Sequence, residues 1–136
     1  MGRQKTKPSV SFVEKMLDEA SWLISHADAL EVYKRPEEAA AEWARASVCE
    51  EQVASLLEAD GQENEAAIHR VSAASCLEKL GQYVRAVTLL RAALSAELPS
   101  EYRARVERQH ARCLAKVRKE LVRAARKKAS ATTSPR

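Results

Sequence analysis

Apolar residues return every three or four positions along most of this chain, in five stretches separated by short breaks. Val13, Met16, Leu17, Ala20, Leu23, Ile24, Ala27 and Leu30 form the first stripe, which predicts a helix running to about Tyr33. Ser11-Phe12-Val13-Glu14 ahead of it has the capping-box spacing, in which a hydroxyl and a carboxylate satisfy free backbone donors. Pro36 suits the opening position of a second helix. That helix is apolar on two sides, with Ala40, Trp43, Ala44 and Leu57 on one and Ala46, Cys49, Val53 and Leu56 on the other. A helix of this kind is expected between two neighbours.

Asp60-Gly61 ends the second helix, and a third is predicted from about Glu63 to Leu80. Gly81 can take the left-handed conformation that closes it. A fourth stripe follows at Tyr83, Ala86, Val87, Leu90, Ala93 and Leu94, stopped by Pro99. The fifth helix starts near Glu101, carries Tyr102, Val106, His110, Cys113, Val117 and Leu121 on one face, and runs to about Lys127. Strand-type alternation is absent, so the fold class is all-α: a stack of about five antiparallel helices. The domain reading is a disordered basic N-terminus at 1–8, one helical domain at 9–128, and a disordered Ser/Thr/Ala/Pro tail at 129–136.

The third and fourth helices carry a family resemblance. Leu80-Gly81-Gln82-Tyr83 and the segment to Leu94 resemble the turn and second helix of a tetratricopeptide repeat (TPR). Gly81 and Tyr83 match its turn glycine and aromatic, Ala86 its characteristic small residue, Leu90 its large apolar residue, and Ala93-Leu94 its closing pair. Ala74 stands where the first helix needs a small residue. Arg70 and Ala73 depart from the pattern, and Pro99 falls one residue late. The resemblance covers about one repeat of roughly 34 residues, too little to bury its own apolar face. Leu57…Gly61…Glu65-Ala66 echoes Leu80-Gly81…Arg85-Ala86, but the two glycines lie too close in sequence for a second repeat in register. The resemblance implies a concave groove for a segment of another protein, faced by Ile68, Val71, Ser75 and Glu78. Ile68 and Val71 can equally be core residues. A family groove that grips a terminal carboxylate uses Asn with Lys or Arg, and the only Asn here, Asn64, lies outside those positions.

Charge changes the picture at the ends. The net charge of +4 hides a basic N-terminus with Arg3, Lys5 and Lys7, an acidic middle, and a basic segment from 101 onwards with twelve basic and three acidic residues. Lys116, Arg118, Lys119, Arg123, Arg126, Lys127 and Lys128 could neutralise the phosphates of RNA or DNA. Against that alternative, the cluster lacks interleaved aromatics, and Val117, Leu121 and Ala125 could dock it on the body. An acidic middle with basic ends also permits self-association, in which a second copy covers apolar ends.

The remaining chemistry is thin. Cys49, Cys76 and Cys113 are an odd set without a CxxC, which favours a reducing, cytoplasmic setting over a disulfide framework. No apolar run is long enough to span a bilayer, and no apolar stretch follows the basic N-terminus, so no membrane role is expected. Glu107-x-x-His110 places a carboxylate and an imidazole on one helical face, but a di-iron site needs that motif twice. His69, Cys76, Glu107, His110 and Cys113, with Cys49, are conceivable zinc ligands without a closed-site spacing. Phosphate loops and nucleophile elbows are absent, so the expectation is no enzyme and no cofactor. The leading reading is a TPR-like adaptor or scaffold that binds a protein partner; polyanion binding and a metal-binding helical bundle are the alternatives.

Overall fold

The structure, a computed structural model, describes residues 10–132. The expectations for residues 1–8 and for 133–136 lie outside the described residues. Five helices follow one another: α1 (Val10–Val32), α2 (Pro36–Ala59), α3 (Glu63–Lys79), α4 (Tyr83–Leu94) and α5 (Ser100–Thr132). Each packs on the next, in an antiparallel zigzag with no strand among the described residues. Val10 is already helical, so Ser11 lies within α1 and is not the N-cap that the capping-box spacing suggests.

Three turns of one design connect the first four helices. Gly61 and Gly81 adopt φ of 81° and 75°, and Gln62 and Gln82 donate back to the carbonyls of Leu57 and Leu77 at 2.8 and 2.9 Å. These bonds satisfy carbonyls that a helix end leaves free. The α1–α2 turn uses the same return bond, from Arg35 N to Leu30 O at 2.9 Å, but its left-handed residue is Lys34, at φ 61°. A side chain in that region costs about 1–2 kcal/mol. Lys34→Gly is therefore expected to stabilise the chain, by about 0.5–1 kcal/mol once glycine's greater unfolded-state freedom is deducted. A urea titration of the variant checks this through a raised midpoint.

Two clusters form the core. Leu23, Ala27 and Leu30 of α1 meet Ala39, Trp43 and Ala46 of α2, with Cys76 reaching in from α3. Ala67, Val71, Ala74 and Leu77 of α3 meet Ala86, Val87, Leu90 and Ala93 of α4 and Val106 and Cys113 of α5. α3 is thus shared by both. Ala66, Ala67, Ala73, Ala74, Ala86 and Ala93 are all fully buried, because methyl side chains let helix axes approach closely.

α2 is covered on two sides, as its pattern predicts, but by a different set of residues. Ala39, Trp43, Ala46, Ser47, Glu50, Val53 and Ala54 are buried, whereas Ala44 is exposed. The polar pair fits because each finds a partner: Ser47 Oγ donates to Ala44 O at 2.8 Å, and His69 Nδ1 lies 2.8 Å from a Glu50 carboxylate oxygen.

Side-chain bonds join helices two apart. Gln109 bonds Ser75, Arg112 bonds Glu78 and Arg85 bonds Glu51, and each pair is separated by 34 positions. The α1–α3 contact between Glu31 and Lys79, 3.6 Å, falls outside that displacement. Arg103 Nη2 closes the α4–α5 corner by donating to Leu94 O at 3.0 Å and Ala96 O at 2.6 Å.

The C-terminal half of α5 departs from expectation. It stays helical to Thr132, so 129–132 are not a tail. Nor does the Val117, Leu121 and Ala125 stripe dock on the body: Val117 is half-buried, but Leu121 is 64% exposed and Ala125 is exposed. α4 has 12 residues against 33 in α5, so among the described residues nothing lies alongside to cover the rest.

Candidate partner-binding groove

α3 and α5 lie on the same side of α4, and the space between them is an open groove of about 630 Å³. Its floor is apolar, made by Val71 of α3 and Val106 of α5, both buried. Ser75, Glu78 and Lys79 form the α3 wall; Tyr102, Arg105, Arg108, Gln109 and Arg112 form the other.

Polar bonds tie the two walls together at one end. Arg112 grips the Glu78 carboxylate twice, through Nε at 2.7 Å and Nη2 at 3.1 Å. Gln109 Nε2 donates to Ser75 Oγ at 3.0 Å and to Glu78 at 3.3 Å. Ser75 Oγ in turn donates to Val71 O at 3.1 Å. The Arg112 hydrogen bonds hold Glu78 below the usual carboxylate range, against a smaller opposing push from burial. A carboxyl whose folded-state value is depressed contributes stability that is complete above its unfolded value, about 4.3, and is lost as pH falls through the depressed value. The advantage of the wild type over Arg112→Gln in urea midpoint is expected to shrink between about pH 6 and about pH 3. A constant difference over that window would show that the pair does not link the walls.

With Glu78 held by Arg112 and Lys79 beside Glu31, Arg105 and Arg108 are left as the uncompensated cations of the lining. Arg105 stands over the Tyr102 ring at 5.9 Å, which orients it at the groove mouth. Lys79 is 5.4 Å from the Trp43 ring centroid and 3.6 Å from Glu31. Arg108 has no ion-pair partner among the described residues.

Of the positions implied by the family resemblance, Val71, Ser75 and Glu78 line this groove, and Ile68 does not. Ile68 is 44% exposed further back on α3. The α5 wall was missed in the sequence, although Tyr102, Arg105, Arg108, Gln109 and Arg112 recur at helical spacing. A second groove of about 550 Å³, between Phe12 and Met16 of α1 and Val48 and Leu56 of α2, is capped by Arg85 of α4.

The other candidate residues are placed as follows. Lys116, Arg118, Lys119, Arg123, Arg126, Lys127 and Lys128 are all exposed, Lys116 beside the Tyr83 ring and the others on the protruding part of α5. The metal alternative lacks an assembled ligand set: among the described residues no three His, Cys, Asp or Glu side chains converge. His69 is engaged by Glu50, and Glu107 lies 4.0 Å from Arg103. Cys76 and Cys113 are buried, and desolvation pushes their thiols up to about 12 and about 11. Cys49, partly buried, is raised for the same reason. All three thiols are free, and at neutral pH they are neutral and poorly nucleophilic. Among the described residues no helix is long and apolar enough to cross a membrane.

The chain matches no family model, no curated protein and no solved structure.

Proposed function

We propose that this protein is a non-enzymatic, TPR-like interaction module, an adaptor or scaffold that holds an extended acidic segment of another protein between α3 and α5. The observation that carries the reading is the groove itself: an apolar floor of Val71 and Val106 flanked by Lys79, Arg105, Arg108 and Arg112. Carboxylates of a bound strand would meet the exposed guanidinium groups of Arg105 and Arg108, which favour planar, two-point contacts, while its apolar side chains would lie against the half-buried Tyr102 ring. The displacement of 34 between α2 and α4 and between α3 and α5 supports the family likeness. The Ser75 hydroxyl donates to Val71 O instead of to a base, which favours binding over catalysis. Free thiols at Cys49, Cys76 and Cys113 favour the cytoplasm as the place of work.

Selection from a random peptide library on the immobilised protein tests this reading. Enriched sequences are expected to combine Asp or Glu with apolar residues. The exposed pair Arg105→Glu/Arg108→Glu is expected to lose them while keeping the wild-type circular dichroism spectrum. Enrichment of basic peptides, or equal retention by the variant, would contradict it.

A further inference from the structure

We infer that the protruding half of α5 is a docking site for duplex DNA, gripped through its phosphates without reading sequence; this does not depend on the groove. The last buried residue of α5 is Cys113 and the last half-buried one is Val117; from Arg118 to Ala131 every residue is exposed. At 1.5 Å per residue this is a helical rod reaching roughly 20 Å beyond the packed body.

At 100° per residue, Lys116, Lys119, Arg123, Arg126 and Lys127 fall within an arc of roughly 100° with Glu120 at its edge, while Arg118 and Lys128 lie on the other side beside Leu121 and Ala125. On the body, Arg45, Arg70, Arg85 and Arg112 each meet a carboxylate on another helix, while Arg108 is left without one among the described residues. Among the described residues, Lys119, Arg123, Arg126 and Lys127 on the rod are in no ion pair, and Lys116, at its base, meets only the Tyr83 ring, at 5.9 Å. Lys119, Arg123 and Lys127 follow one another at four-residue intervals, an arrangement in which like charges repel along a helix. A polyanion laid on this face removes that repulsion.

Chemistry separates the candidate polyanions. An anionic membrane would need a broad apolar face, and the rod offers Leu121, Val122 and alanines with no aromatic. Single strands are held by stacking, which also needs aromatics. A duplex needs none of these. A helix about 10–12 Å across fits the DNA major groove of about 12 Å, whereas that of duplex RNA is too narrow.

Fluorescence anisotropy of the full chain with two labelled DNA duplexes of unrelated sequence tests the inference across a salt series. Both are expected to bind equally, with a log–log salt slope of about −4 to −5 for some five neutralised phosphates. Lys119→Glu/Arg123→Glu, exposed and remote from the core, is expected to weaken binding more than tenfold with unchanged helix content. Arg105→Glu/Arg108→Glu serves as the groove control and is expected to retain most of it. Binding that ignores salt or the Lys119/Arg123 reversal would overturn the inference. So would tighter binding to phosphatidylserine vesicles than to DNA, or a doubled mass in light scattering that the reversal abolishes while DNA has no effect.

Discussion

Leu77→Ala is expected to cost about 2–5 kcal/mol, which is a large part of the stability of a chain of this size. Leu77 is fully buried on α3, the helix shared by both core clusters, and packs in the cluster of Ala74, Ala86 and Leu90. Alanines cannot extend into the space that the isobutyl group leaves, so collapse around the site is limited and the cavity cost is high. The expected melting temperature falls by roughly 10 °C. Leu121→Ala is the matched control. Leu121 is 64% exposed beyond the end of α4, and its removal should change stability by less than about 0.5 kcal/mol. Urea titrations of both variants check the pair. Similar losses would mean that the protruding half of α5 is packed after all.

His69→Leu is expected to cost about 2–4 kcal/mol, well above Glu50→Gln. Glu50 is 6% exposed and depends on His69 Nδ1 at 2.8 Å for its carboxylate. Removing the imidazole leaves a buried acceptor without that donor, between α2 and α3. Glu50→Gln retains an oxygen that can accept the same hydrogen bond and removes the charge. The ratio of the two losses, from urea midpoints, separates a hydrogen-bonded anchor from a mere space-filler. Equal losses would point to packing alone.

Helix boundaries were legible because particular residues mark them. Pro36, Gly61, Gly81 and Pro99 each stand at a break that the structure contains, since proline cannot continue a preceding helix and glycine readily takes the left-handed conformation that ends one. The buried side of α2 was less legible. Ser47 and Glu50 interrupt the apolar spacing, and only the carbonyl of Ala44 and the imidazole of His69 make their burial tolerable. Those partners are a matter of packing, which periodicity does not encode.

The groove was half legible. Val71, Ser75 and Glu78 follow from the repeat resemblance, but the α5 wall does not, because arginines along one helix face read as an ordinary solvated surface. Arg112 changes meaning only once α5 sits one step from α3 and delivers it to Glu78. The fate of Leu121 was equally hidden. Its spacing fits a docked stripe, and it is exposed because α4 is much shorter than α5.

The most direct test of the account is a nitrogen–proton correlation spectrum of the labelled protein, titrated with an acidic peptide taken from the library selection. Binding between α3 and α5 predicts shift changes concentrated at Val71, Ser75, Arg105, Arg108 and Gln109, lost in Arg105→Glu/Arg108→Glu. Shift changes centred instead on Phe12, Met16 and Val48, or spread along the protruding end of α5, would contradict it.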